Sequence, residues 1–301
     1  MRLDDYRTSD NIEDQRGTGG GGGLGFGGGG IGGGGLGLIL GLVGSKFGIV
    51  GIIVVIAGAF LLGINPFGGG TVSGPAPQAV TNGKTAAQSC AIDAASRFSC
   101  QVMASTEDTW SKIFAQHGER FTPAKLVFYS QNGSSGCGAA QSAMGPFYCP
   151  TDNRIYLDTD FFNELQNRFH AAGDFAQAYV IAHEMGHHIQ TITGISDKVR
   201  AAQSRGSEAQ ANQLQVRMEL QADCYAGVWA AQNRDRLDPG DVQEGMTAAN
   251  AIGDDTLQKA AGQRPVPESF THGTSAQRME WLKRGIDSGD PAQCDTFKGV
   301  L

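Results

Sequence analysis

The string Ala182-His183-Glu184-Met185-Gly186-His187 carries two imidazoles four residues apart, with a carboxylate directly after the first. On a helix, four steps of about 100° return His187 to within about 40° of His183, one turn along. Both rings can then reach one metal ion. Zinc is the ion that imidazole pairs of this spacing hold in hydrolytic sites, with a third protein ligand and one position left open. Glu184 stands at a different angle, beside such an ion without ligating it. It can take the proton of a water that the metal activates. The chemistry implied is metal-assisted hydrolysis with Glu184 as general base. Ala178, Ile181, Ala182, Met185 and Ile189 recur at helical spacing around the motif, which predicts a helix over residues 175–191.

The third ligand is not a histidine close in sequence, because the residues after His187 read His-Ile-Gln-Thr-Ile-Thr-Gly. The second long helical pattern, residues 208–232, offers Glu219-Leu-Gln-Ala-Asp223, two carboxylates on one face. Glu219 as ligand leaves Asp223 one turn later, able to accept a hydrogen bond from the outer nitrogen of a ligand histidine. Ala222, Ala226, Val228 and Trp229 argue that this helix is buried rather than a solvated acidic face. His188 lies five residues from His183 and points off the metal face, so it reads as structural. His117 and His170 have no evident partner.

The elements that must position these groups read as α+β: mainly helical with a small sheet. Residues 126–129 and 154–158 read as strands, separated by a Gly/Ser/Cys loop, and a shorter helix covers residues 275–286. The strand at 155–158 lies some 25 residues before the motif and reads either as an edge offered to an extended substrate or as an ordinary internal strand.

HExxH followed by ExxxD on a later helix resembles the gluzincin type of zinc peptidase. Together with Gly145-Pro-Phe-Tyr-Cys-Pro150, Ile155-Tyr-Leu-Asp158 and the HEMGHH string, it resembles the putative neutral zinc metallopeptidase family of bacteria over nearly the whole chain. The resemblance implies a zincin-like domain, Zn2+ as cofactor and a protein or peptide substrate. It also points to Ser269-Phe-Thr-His272-Gly-Thr-Ser-Ala-Gln-Arg278, similar to the His-Pro…Arg segment of membrane-associated gluzincins, with Gly273 in place of the proline. On that likeness His272 is a candidate for stabilising the oxyanion, with Arg278 a weaker candidate and Tyr225 a competitor. Two other readings stay open: a membrane-tethered binding or scaffold protein with a non-catalytic zinc site, and a zinc hydrolase of non-peptide amides.

The chain of 301 residues carries a formal charge of -7 and no basic block, so it has no electrostatic footprint for nucleic acid. Residues 1–35 read as a disordered leader, charged and then glycine-rich. The glycines form no phosphate loop, since the stretch itself contains no Gly-Lys-Ser/Thr and no strand precedes it. Residues 36–64 read as a transmembrane anchor, with residues 47–64 uncharged and about long enough to span. A Pro/Gly/Ser-rich linker at 65–88 precedes the folded domain, 89–301. Arg2, Arg7, Arg16 and Lys46 precede the apolar stretch, which predicts a single-pass protein of the inner membrane with its domain outside the cytoplasm. All six cysteines follow that stretch. In an exported domain they read as disulfides, and nearest-neighbour pairing gives Cys90–Cys100, Cys137–Cys149 and Cys224–Cys294. The alternative is buried free thiols.

Overall fold

Four short strands make the sheet: Ile12–Asp14 (β1), Lys125–Tyr129 (β2), Phe147–Cys149 (β5) and Arg154–Asp158 (β6), in the order β1-β2-β6-β5. The computed structural model describes residues 1–18, 81–298 and 300. The first three strands of that order run parallel, and β5 lies antiparallel to β6. Leu126, Phe128, Ile155 and Leu157 point to the helical side, while Val127, Tyr129 and Tyr156 fill a small second cluster on the other face. This period of two is what paired faces of a covered sheet require. A separate hairpin, Asn132–Ser135 (β3) with Gly138–Gln141 (β4), stands on that second face.

The helices are Ala86–Cys90 (α1), Ala94–Gln116 (α2), Phe161–Asn167 (α3), Asp174–Ile192 (α4), Ile195–Gln203 (α5), Glu208–Gln232 (α6), Asp241–Ala251 (α7), Asp254–Ala260 (α8) and Ser275–Ser288 (α9). Two of the long ones begin with reciprocal capping boxes. Ser207 and Gln210 form a reciprocal capping box at α6, and Thr274 and Gln277 do the same at α9. Each satisfies backbone donors that the first turn leaves open.

Helices α4, α6 and α9 pack in series, and glycines set their spacing. A Cβ on Gly186 would lie 2.9 Å from the Ala222 backbone, so the glycine inside the HEMGH string brings α6 against α4. A Cβ on Gly285 would lie 2.0 Å from the Cys224 carbonyl oxygen, so α9 touches α6 backbone to backbone. All three nearest-neighbour disulfides are present, and there are no free cysteines among the described residues. Cys224–Cys294 ties α6 to the end of the chain, and Cys137–Cys149 ties the hairpin to β5.

The mainly helical α+β reading holds, with two corrections. Residues 1–18, expected as part of a disordered leader, are folded onto the domain: β1 pairs with β2, and Leu3 and Ile12 enter the main core. Three residues, Ile-Glu-Asp, carry no readable strand period, and the charges around them are paired in the fold, Arg16 with the buried Asp14 and Glu13 with Lys125 and Arg154. Ordered chain also begins before residue 89, with Thr85 capping α1. Of the two readings of the strand at 154–158, the internal one holds: it lies between β2 and β5, and the edge strands of the sheet are β1 and β5. The expected anchor at 36–64 lies outside the described residues. Among the described residues no helix is long and apolar enough to cross a membrane.

Candidate metal centre

Helix α4 carries His183, Glu184 and His187 across the middle of the molecule, and α6 crosses it at Gly186 with Glu219 and Asp223 facing them. The donor atoms of His183, His187 and Glu219 all lie within 4.8 Å of one another. His183 Nε2 is 3.2 Å from Glu219 Oε2, and His187 Nε2 is 3.5 Å from Glu219 Oε1. The two rings stand at 87°, with centroids 4.8 Å apart. One small cation between two Nε2 atoms and a carboxylate fits this arrangement, and the nitrogen and oxygen donors suit zinc.

The outer nitrogens are fixed. His183 Nδ1 donates to Asp223 Oδ1 at 2.8 Å, leaving Nε2 free for a metal. His187 Nδ1 donates to Gln190 Oε1 at 2.9 Å, and Gln190 is itself held by the Met218 carbonyl and by Gln221. Asp223 is fully buried and takes three further donors. Arg278 reaches it twice, Nε to Oδ2 and Nη2 to Oδ1, each at 2.9 Å, and the Tyr179 hydroxyl donates at 2.6 Å. These partners both orient the ligand histidine and compensate the burial of a carboxylate.

Electrostatics follow from the same contacts. Burial would raise Asp223, but the charge of Arg278 and then His183 hold it down at about 2. Burial would likewise raise Glu219, yet the charge of His187 and hydrogen bonds from both imidazoles keep it well below the usual carboxylate range. His187 is desolvated, which lowers it, but the adjacent Glu219 charge outweighs this and pushes it up to about 9. Glu184 differs: burial pushes its carboxyl up, against the pull of the two imidazoles. A carboxyl raised in this way is suited to proton transfer near neutrality.

A cleft of about 420 Å3 opens over these groups. Gly145–Tyr148 form one wall, and Val199, Arg200 and Gln203 of α5 form another. Val180, Phe161, Phe169, Ile252 and Leu257 supply an apolar recess. His272 also lines the cleft, at the end of the loop before α9. Asp254, at the first turn of α8, cradles that loop. Its Oδ2 accepts the consecutive backbone N–H groups of Thr271 (2.8 Å), His272 (2.6 Å) and Gly273 (3.0 Å), while Oδ1 accepts His272 Nδ1 at 3.1 Å. Desolvation lowers the His272 imidazole, but the bond to Asp254 and its charge raise it on balance.

The structure thus brings His183, Glu184, His187, Glu219, Asp223 and His272 to one cleft. Arg278 sits at its floor, bound to Asp223, and Thr274 rather than His272 caps α9. Tyr225 is elsewhere, buried edge-on against Trp110 with centroids 5.3 Å apart. His188 turns to the Thr122 carbonyl and the Tyr148 hydroxyl. His117 bonds the Ile113 carbonyl of its own helix. Gln190, Tyr179 and Asp254 were not singled out by sequence reasoning. Gln190 follows His187 by three residues on one helix face and Tyr179 precedes His183 by four, signals that helical spacing contains. Asp254 is joined to His272 only by the fold.

The model of a family described as putative neutral zinc metallopeptidase matches residues 1–297. Among similar proteins is the uncharacterized protein YpfJ of Escherichia coli K12, 46% identical over 302 residues that cover 99% of each chain. Uncharacterized protein Mb2605 of Mycobacterium bovis is 39% identical over 223 residues, 68% of this chain and 73% of its own. The uncharacterized protein Rv2575 of Mycobacterium tuberculosis H37Rv shows the same identity and coverage. No solved structure matches the chain significantly. The family carries Zn2+ as its implied cofactor, the ion that the donor set in the cleft fits, and the chain belongs to this putative neutral zinc metallopeptidase family.

Proposed function

We propose that the protein is a zinc-dependent endopeptidase of zincin-like architecture. The observation that carries this is the convergence of two imidazole Nε2 atoms and the Glu219 carboxylate in a cleft wall, with Glu184 beside them and unligated. His183, His187 and Glu219 would hold the zinc. Zinc in that position supplies Lewis acidity and makes water acidic enough to attack near neutral pH.

The chain's own groups supply the rest. Glu184 takes a proton from the attacking water and delivers it to the leaving amine, for which its raised carboxyl is suited. His272, with Nδ1 held by Asp254, presents its Nε2 side to the oxygen on which negative charge develops. Asp223, pinned by Arg278 and Tyr179, keeps His183 in the tautomer that offers Nε2. Tyr148 of β5 lines the cleft together with Glu184. An extended peptide can add to the outer edge of β5, which aligns its carbonyls with the ligand histidines. Cleft walls on both sides of Glu184 favour an internal peptide bond over a chain end.

The test is hydrolysis of a mixed pool of quenched peptides by the full chain, after chelation and after zinc is restored. The proposal expects cleavage lost with chelator, regained with zinc, and directed at internal bonds. Cleavage indifferent to chelation, or restored activity on non-peptide amides alone, would overturn it.

A further inference from the structure

A single membrane span between residue 18 and residue 81 would put residues 1–18 and the catalytic domain on opposite sides of a bilayer. The contacts of residues 1–18 require the reverse. β1 is a full member of the sheet, in register with β2 as Ile12–Leu126, Glu13–Val127 and Asp14–Phe128. Glu107 of α2 is 5% exposed, and its side chain finds its partners in Arg7, Ser9 and Asn11. Arg16 binds both oxygens of the buried Asp14, reaches Ser96 Oγ and the Ser89 carbonyl, and lies over the Phe128 ring at 4.5 Å. Gln15 exchanges two hydrogen bonds with the Ser134 backbone.

The two ends of the intervening chain also meet. Asn82 donates its backbone N–H to the Asp14 carbonyl at 2.9 Å and its side-chain amide to the Arg16 carbonyl at 2.9 Å. The chain therefore leaves and re-enters the domain at one spot. Three of the four basic residues that would set an N-inside orientation are engaged in the same fold: Arg2 with Asp238, Arg7 with Glu107 and Asp108, and Arg16 with Asp14 of its own segment. Lys46 lies outside the described residues.

We infer that residues 1–18 and the catalytic cleft lie in the same compartment, on one side of any membrane the chain meets. The N-terminal segment is then a component of the hydrolytic domain. The substrate is met in the compartment where residues 1–18 reside. This replaces the cytoplasmic N-terminus expected from the distribution of basic residues.

Site-directed labelling of the full chain in spheroplasts tests this. Asp10→Cys and, as a second reporter, Asp4→Cys probe the N-terminal segment, while Lys283→Cys probes the domain; all three positions are exposed. The unsubstituted chain, whose cysteines are paired, gives the background. A membrane-impermeant maleimide is applied before and after lysis. Equal labelling of the N-terminal and domain reporters before lysis supports the inference, and so does labelling of all of them only after lysis. Labelling of Lys283→Cys in intact spheroplasts with both N-terminal reporters reacting only on lysis, or the converse, would overturn it.

Discussion

Arg278→Met removes one partner of a buried ion pair. Arg278 and Asp223 side chains are 2% and 0% exposed, and two hydrogen bonds of 2.9 Å join them. Taking away one member of such a pair costs about 3–5 kcal/mol, because the other charge stays buried. Asp223 keeps the Tyr179 hydroxyl and His183 Nδ1, so the loss should fall near the lower end, about 3 kcal/mol. For a domain of this size that is a fall in melting temperature of about 6–12 °C. Asp223 would also hold His183 less firmly, and zinc affinity should drop by about tenfold or more. Asp223→Asn alone strands the guanidinium and should cost a similar amount. The double variant removes both charges, so its cost should be less than the sum by about 1–3 kcal/mol. Melting of the four proteins, each with and without zinc, gives the cycle. Costs that add to within about 0.5 kcal/mol would refute the coupling, and unchanged zinc affinity in Arg278→Met would refute its role in orienting the ligand.

Glu219→Ala should purify with little zinc, since two imidazoles alone hold it weakly; zinc content equal to that of the unsubstituted chain would place the third ligand elsewhere. His272→Ala should lower turnover by about 100- to 1000-fold with zinc content unchanged, as loss of an oxyanion donor does, and Asp254→Asn should move turnover in the same direction by loosening the loop. Unchanged kcat in folded His272→Ala would remove the residue from the mechanism. In the metal-free protein His187 is raised from the ordinary 6.5 to about 9. Its contribution to stability is therefore complete below pH 6.5 and lost as the pH rises through about 9. Melting of chelated protein should fall across that window, while zinc affinity rises with pH because the ligands must lose protons; a chelated protein as stable at pH 9.5 as at pH 6 would contradict the assigned shift.

The ligand constellation was legible because helical geometry turns sequence spacing into position. His183 and His187, then Glu219 and Asp223, are each one turn apart, and both helices announce themselves by apolar periodicity. The expected helix at 208–232 coincides with α6, and those at 175–191 and 275–286 differ from α4 and α9 by one or two residues. Cysteine pairing by sequence neighbour also matches, since each pair closes a local or adjoining element. What stayed hidden depends on contacts between distant segments. Asp254 meets His272 through a loop with no periodic signal, and β1 is three residues whose charges look solvated in sequence but are paired in the fold. Whether the strand at 155–158 is an edge or internal was not legible, because strand order in a sheet is not written in strand order along the chain. Interior placement of β6 follows only once β1 and β5 are known to flank the pair β2 and β6.

The central claim is that Glu184 moves the proton in a zinc-dependent hydrolysis carried out by this cleft. Glu184→Gln keeps the shape of the side chain and touches no ligand atom. Zinc content, melting and hydrolysis of an internally cleaved reporter peptide are to be measured on this variant and on the unsubstituted chain. The account predicts equal zinc, a fold that is retained, and turnover lower by at least about a hundredfold. Undiminished hydrolysis by zinc-loaded Glu184→Gln would contradict it.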